Sequence, residues 1–138
     1  MAVLSPVAAN VTTLSSGTLP NGVSGEALTA GMVVFKDTDN KFYSASASSD
    51  GDMTGKTVGI CLNPASAADK RAVVATTAGD EIILGCTVTK GTWYCIDETT
   101  GILGEYSDLS SSSQVCFVGY GSENSNLVLQ ITPTGFTK

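Results

Sequence analysis

Residues 29–46 have the sequence Thr-Ala-Gly-Met-Val-Val-Phe-Lys-Asp-Thr-Asp-Asn-Lys-Phe-Tyr-Ser-Ala-Ser. Two short apolar runs, rich in β-branched and aromatic residues, flank the polar segment Asp37-Thr38-Asp39-Asn40. Such runs favour strands, and a short polar loop between them is typical of a β-hairpin. The stretch therefore predicts two antiparallel strands.

The same order of features recurs 60 positions later in the chain. Thr89-Lys90-Gly91 leads into Trp93-Tyr94-Cys95 and then into a second predicted hairpin loop, Glu98-Thr99-Thr100-Gly101. Val58-Gly59-Ile60 likewise recurs as Val118-Gly119-Tyr120. Two copies are too few for a solenoid. We therefore predict two similar β-meanders that share one core, as a compact barrel or sandwich.

Apolar runs of this kind continue along the chain, each bounded by Gly, Asp, Asn or Ser. They span residues 32–36, 41–46, 57–62, 71–77, 81–85, 92–97, 114–120 and 126–132. No stretch carries a sustained 3.6-residue apolar period, and residues 65–71 could form one helical turn at most. The chain is predicted to be all-β.

The first 25 residues differ from the rest, because no charged side chain occurs between residues 2 and 25. Disordered tails are usually rich in charge and poor in Val and Leu, whereas this segment contains Val3, Leu4, Val7, Val11 and Leu14. We predict an N-terminal arm at residues 1–25 and a β domain at residues 26–138. The arm is either disordered or orders against a partner, so deletion of residues 2–20 should leave the melting temperature nearly unchanged.

The amino-acid composition limits the classes of function that we expect for this protein. The 138 residues include 33 Ser and Thr, only 14% charged residues, a net charge of −6 and no histidine. No apolar run is long enough for a membrane helix, and the scattered bases do not suit nucleic acid. Histidine is the commonest general base and metal ligand. We therefore expect a binding or structural protein, not an enzyme, with no cofactor, no metal, no nucleic-acid partner and no membrane partner.

The four cysteines, Cys61, Cys86, Cys95 and Cys116, each lie within an apolar stretch and form no C-x-x-C pair. This placement favours reduced, structural thiols, with one or two disulfides as the alternative. The sequence begins without a basic segment or a continuous apolar segment, so we expect no signal peptide and synthesis in the cytoplasm.

Two segments resemble ligand-binding loops only in part. Residues 51–57 have three residues between their glycines where a P-loop needs four, and a strand-like run follows them. Asp37-x-Asp39-Asn40 begins like a calcium loop, but Phe42 and Ser48 stand where that loop needs Gly and Glu. Both are predicted to be turns.

The paired acids Asp50/Asp52, Asp80/Glu81 and Asp97/Glu98 could suggest glycoside hydrolysis, but each pair lies in a predicted turn. Aromatic residues could form a sugar-stacking platform; they are Trp93, Tyr94, Phe35, Phe42, Tyr43, Phe117 and Tyr120. Because alternate residues of a strand face opposite sides, we expect most of them in the core.

Residues 25–35, Gly-Glu-Ala-Leu-Thr-Ala-Gly-Met-Val-Val-Phe, resemble the opening of the capsid decoration (cement) proteins of tailed bacteriophages. In that family a Gly-Glu-x-Leu-x-x-Gly-x-Val-Val strand precedes an acidic turn and a return strand, here Lys41-Phe42-Tyr43-Ser44-Ala45. The segments at residues 58–63 and 89–94 are similar to the family's Val-x-Gly-Ile-Ala and Leu-x-x-Gly-x-x-Tyr segments. The resemblance covers roughly residues 25–131. The cysteines and the uncharged arm depart from it.

The resemblance implies a small β-barrel or "tulip" protein, often a homotrimer, on the outer capsid surface of a virion. Its partner would be the major capsid protein, whose lattice it would stabilise. The arm residues Val3, Leu4, Val7, Val11 and Leu14 are candidates for capsid binding. The alternative function is that of a tail-fibre or spike module that binds a host surface glycan.

Overall fold

The computed structural model describes residues 3–14, 21–48 and 53–138. The described residues contain eleven strands and two short 3-10 turns, at Ala8–Asn10 and Tyr106–Asp108. The all-β prediction is confirmed. The strands are β1 (Thr12–Thr13), β2 (Asn21–Ser24), β3 (Val33–Lys36), β4 (Lys41–Ser44), β5 (Val58–Cys61), β6 (Arg71–Ala75), β7 (Glu81–Ile83), β8 (Trp93–Ile96), β9 (Leu103–Glu105), β10 (Gln114–Gly121) and β11 (Leu127–Thr137).

The strands form one closed barrel and one open sheet. The barrel has the order β2-β4-β3-β5-β6, and the six-stranded sheet has the order β1-β7-β11-β10-β8-β9. Within them, β4-β3-β5-β6 and β9-β8-β10-β11 run through the same sequence of hairpins. We call these the first meander and the second meander. The prediction of two similar meanders in a small barrel or sandwich is confirmed.

The two meanders share their strand order and, up to an irregularity in β10 between Phe117 and Gly119, the register of their central strands. Val33 pairs with Ile60 in the first meander, and Trp93 pairs with Tyr120 in the second, 60 positions later in both strands. The turn before each central strand is also the same. Gly31 and Gly91 both have positive φ angles, 95° and 77°. The similarity seen in the sequence therefore reflects equivalent backbone geometry.

Gly59 and Gly119 occupy equivalent positions in β5 and β10. A Cβ atom on Gly59 would collide with the carbonyl oxygen of Ala75, and one on Gly119 would collide with that of Val128. In each meander the close approach comes from the last strand, β6 or β11. The Val-Gly segment recurs because both meanders need this contact between backbones.

Side chains divide between two cores. The smaller core fills the barrel, with Phe42 and Val34 among its residues. The larger core lies between the barrel and the open sheet. The outer face of the first meander contributes Val33 and Ile60 to this larger core, and the inner face of the second meander contributes residues such as Tyr94. The two meanders therefore pack outer face against inner face.

The first meander is closed by β2, which lies between β4 and β6. Its residues pair in parallel with β4 and antiparallel with β6. Asn21–Ser24, assigned to the arm by the sequence analysis, thus forms a strand of the barrel. This strand was missed because Asn-Gly-Val-Ser lacks the apolar run on which strand prediction rests.

Residues 3–14, which we call the N-terminal strap, cross the open sheet near its edges. The Leu4 amide donates to the Leu103 carbonyl at 2.8 Å, and the Val7 amide donates to that of Leu84 at 2.9 Å. Further along, β1 pairs with β7. Leu4 is only 5% exposed. The expectation of an arm that orders only against a partner differs from this arrangement, in which the strap packs on its own chain.

Each of the eight predicted runs overlaps an observed strand; six of these strands are shorter than the run, whereas β10 and β11 extend past its end, to Gly121 and Thr137. Both predicted hairpin loops connect paired strands, β3 to β4 and β8 to β9. The short β1 and β9 were missed along with β2. Residues 65–71 form no helical turn. Ala65 makes an isolated bridge to Leu28, and Asp69 turns the chain with a φ of 65°.

Candidate functional site

Four aromatic side chains line up on the outer face of the second meander, and we call them the aromatic face. The Trp93 ring lies 5.0 Å from the Tyr120 ring and 6.2 Å from the Phe117 ring, centroid to centroid. Tyr106 stacks on the far side of Phe117 at 6.1 Å with an interplanar angle of 25°. The row therefore runs Tyr120, Trp93, Phe117, Tyr106.

Strand register places three of these residues together. Trp93 pairs with Tyr120 across β8 and β10, and Phe117 pairs with Thr132 across β10 and β11. Trp93, Phe117 and Thr132 line a shallow depression of about 400 Å³. Trp93 is 45% exposed. Because Trp93 and Phe117 meet at 81°, their rings form two walls of this depression.

Tyr106 reaches the aromatic face from the 3-10 turn that follows β9. The Lys138 ammonium lies 4.7 Å from the centroid of the Tyr106 ring. It also donates to the carbonyl oxygens of Tyr106, Ser107 and Leu109, at 2.9, 3.3 and 2.8 Å. These contacts fix the turn that carries Tyr106.

The thiols are poorly suited to nucleophilic chemistry. The four cysteines all lie in the described part of the chain and form no disulfide, and Cys61, Cys95 and Cys116 are buried. Burial raises the pKa of the Cys61 and Cys86 thiols, and it raises the pKa of Cys95 to about 12. A thiol needs a lowered pKa to act as a nucleophile near neutral pH. The four cysteines thus behave as the small structural side chains that the sequence favoured.

The acidic turns are held by local hydrogen bonds. In the first hairpin, Asp39 accepts from the Lys41 amide at 3.0 Å and from the Tyr43 hydroxyl at 2.6 Å. The Tyr43 hydrogen bond lowers the pKa of Asp39. Among the described residues, no group of three or more His, Cys, Asp or Glu could hold a metal ion. The pairing of β3 with β4 and the bond from the Asn40 amide to the Asp37 carbonyl, 3.0 Å, make this segment the hairpin turn that the sequence predicts.

Acidic residues of the other predicted pairs accept hydrogen bonds from neighbouring loops. The Glu81 carboxylate accepts a hydrogen bond from the Ser122 hydroxyl at 3.0 Å and one from the side-chain amide of Asn126 at 2.8 Å. Glu98 accepts from the Ser110 amide at 2.7 Å, and Asp97 is nearly buried. Asp50, Asp52 and part of the P-loop-like segment lie outside the described residues.

The strap residues proposed for capsid binding fall into two groups. Leu4 is buried in the larger core, and Val3 and Val11 are half-buried. Val7 and Leu14 are exposed by 46% and 57%. Only the latter two present substantial apolar surface to a partner.

The expectation that most of the seven aromatic residues lie in the core is met only in part, because three are buried and the other four are partly or largely exposed. Phe35, Phe42 and Tyr94 are buried. Sequence analysis considered Trp93, Phe117 and Tyr120 together but did not separate them from the core residues, and it missed Tyr106. The repeat carries a usable signal, because Trp93 and Tyr120 replace the aliphatic pair Val33 and Ile60 of the first meander.

Comparisons with protein-family models, with curated proteins and with solved structures found no match. Within the described part of the chain, no helix has the length and apolar character needed to cross a membrane.

Proposed function

We propose that this protein is a capsid decoration (cement) protein of a tailed bacteriophage, acting on the outer surface of the virion. In this role it binds the major capsid protein lattice through the aromatic face and stabilises the head without catalysing a reaction. It is made in the cytoplasm of the bacterial host. The resemblance of residues 25–131 to that family supports the choice of partner.

The observation that carries the proposal is the contrast between equivalent faces of the two meanders. In the first meander, Val33 and Ile60 are completely buried by other parts of the chain. Their counterparts, Trp93 and Tyr120, lie on the outside of the molecule, and Trp93 is 45% exposed. Trp and Tyr are the residues most enriched at the energetic centres of protein interfaces. The outer face of the first meander is covered by other parts of the chain. The equivalent face of the second meander is exposed and is therefore available to a partner protein.

Attachment to a shell of many subunits also favours low surface charge. Only 14% of the residues are charged, so little ionic desolvation opposes docking of a broad face. The exposed Val7 and Leu14 of the strap extend the apolar surface available to capsid subunits. Binding to the assembled lattice and not to free subunits stabilises the assembly by mass action.

Co-sedimentation with purified expanded capsids tests the proposal. We expect wild-type protein to bind and Trp93→Ala to weaken binding at least about tenfold, as for an interface hot spot. Val23→Ala is the control, because Val23 is exposed by 41% but lies on β2 of the barrel. Equal capsid binding by wild type and Trp93→Ala would remove the aromatic face from the proposal.

The spacing of Trp93 and Tyr120 also favours a second candidate function. Two tilted rings 5.0 Å apart could stack against the apolar face of a sugar ring. A tail-fibre or spike module that binds a host surface glycan would use such a pair. Co-sedimentation with host cells but not with capsids would select this function.

The proposed assembly is a homotrimer. The resemblance and the sparse charge support this state, because symmetric closure can cover apolar surface that a small domain leaves exposed. Sedimentation at micromolar concentration would test it. A monomer mass both free and on the capsid would exclude the trimer.

A further inference from the structure

Tyr106 is the member of the aromatic face that no strand holds in place. Trp93, Phe117 and Tyr120 lie on β8 and β10, where ladder hydrogen bonds fix the backbone. Tyr106 lies instead in the three-residue turn Tyr106–Asp108 and is 39% exposed. Its position against Phe117 therefore depends on what holds that turn.

Lys138 makes the contacts that hold the turn Tyr106–Asp108. An ammonium group has three donor hydrogens and no acceptor, and this one donates to three carbonyl oxygens, those of Tyr106, Ser107 and Leu109. These contacts occupy the whole hydrogen-bonding capacity of the group. The same ammonium group lies 4.7 Å from the centroid of the Tyr106 ring, which is within the range of a cation–π interaction.

The backbone of Lys138 is anchored at the other end of the same loop. Its amide donates to the Ser113 carbonyl at 2.8 Å, and the preceding residue, Thr137, pairs with Gln114 of β10. Glu98 adds a hydrogen bond from the Ser110 amide at 2.7 Å. Lys138 is thus fixed to the sheet by its backbone while its side chain fixes the turn.

We propose that Lys138 is a positioning residue of the aromatic face, which sets the place of Tyr106 against Phe117. It acts through Tyr106 and makes no contact with the capsid itself. This inference rests on the proposed docking function.

Hydrogen exchange tests the positioning without capsids. Lys138→Met keeps the aliphatic stem but removes the donors and the charge. We expect faster exchange of amides in residues 106–113 in this variant, and exchange in β8 and β10 unchanged. Lys56→Met is the matched control, because Lys56 lies 4.8 Å from the Phe35 ring in another part of the molecule. Unchanged exchange in residues 106–113 of Lys138→Met would overturn the inference.

A double-mutant cycle on capsids tests the consequence for docking. We expect Lys138→Met and Tyr106→Ala each to weaken capsid binding about fivefold to tenfold, and the double variant to lose no more than Tyr106→Ala alone. Lys138→Arg, which retains the charge, should recover part of the affinity. Additive losses would overturn the inference, because they would mean that Lys138 acts independently of Tyr106.

The same binding assay separates this inference from the proposed function. If Trp93→Ala weakens capsid binding but Lys138→Met does not, the docking proposal stands and the role of Lys138 fails. If exchange rises in residues 106–113 while neither Trp93→Ala nor Tyr106→Ala changes capsid binding, the docking proposal fails and the recognition role of Lys138 fails with it.

Discussion

The first and second meanders have the same strand order and the same pairing at Val33/Ile60 and Trp93/Tyr120, yet their equivalent faces lie in different surroundings. The outer face of the first meander is buried against the second, and the outer face of the second carries the aromatic row. Strand β2 closes the first meander into a barrel, whereas the strap makes only a few backbone hydrogen bonds to the open sheet that contains the second meander. Backbone geometry therefore determines which residues share a face, and the neighbours of that face determine whether it becomes core or exposed surface.

Truncation of equivalent residues should give the largest difference between the meanders. Ile60 is fully buried, so Ile60→Ala should lower the free energy of unfolding by about 2–5 kcal/mol, as for other large-to-small changes in cores. Tyr120→Ala should cost less than about 1 kcal/mol, because Tyr120 is partly exposed. Chemical denaturation checks both values. Equal losses at the two positions would contradict the assignment of Tyr120 to a surface.

The strap offers the next test, because it bonds to the edges of the open sheet and places Leu4 in the larger core. Leu4 is 5% exposed, and Leu4→Ala should cost about 2 kcal/mol, near the lower end for buried leucines, since a peripheral segment can adjust. Val7→Ala is the control, because Val7 is 46% exposed. Thermal melts of both variants provide the measurement. A melting temperature of Leu4→Ala equal to that of wild type would restore the free arm expected from the sequence.

Substitution of the two equivalent glycines, Gly59 and Gly119, tests whether the meanders are equivalent. Gly59→Ala and Gly119→Ala each place a Cβ against a backbone carbonyl that cannot move aside freely. We expect each to lower stability by about 1–2 kcal/mol, as overpacking usually does. Urea denaturation of the two variants measures the effect. A large loss at one glycine and none at the other would show that only one meander needs the close approach.

The smallest effect concerns Glu98, in the hairpin loop of the second meander. The hydrogen bond from the Ser110 amide is the main cause of a lowered pKa for this carboxyl, helped by the Ser113 and Ser110 hydroxyls and the charge of Lys138. A group whose pKa is lower in the folded state stabilises it above the pKa of the unfolded state and loses that effect as the pH falls.

We therefore expect Glu98→Gln to melt slightly below wild type at pH 6, with the difference disappearing as the pH falls below the ordinary glutamate pKa of 4.5. Thermal melts between pH 6 and pH 3 measure this difference. A gap that persists unchanged at pH 3 would assign the effect to something other than the charge of Glu98.

Sequence reasoning was strongest where a local pattern alone determines the structure. The hairpin loop at Asp37-Thr38-Asp39-Asn40 and the Val-Gly segments at residues 58–60 and 118–120 follow from turn chemistry and apolar runs. It was weaker where tertiary contacts decide. Nothing in Asn21–Ser24 indicates a strand until β4 and β6 stand on either side of it.

The candidate site shows the same division. Alternation along β8 separates Trp93 from Tyr94, but it does not say which of the two faces is covered. Tyr106 could not be predicted as part of the site, because its place depends on a lysine 32 positions away in the sequence. Both facts require knowledge of how the meanders pack together.

Closure of the barrel by β2 also has a consequence for assembly. Packing of an outer face on an inner face is head-to-tail, and contacts of that kind continue into filaments when both ends stay open. Here the inner face of the first meander surrounds its own small core, which leaves no seat for the aromatic face of another molecule. The head-to-tail packing of meanders therefore ends within the chain, because the short strand Asn21–Ser24 closes the face on which a third meander would have to pack.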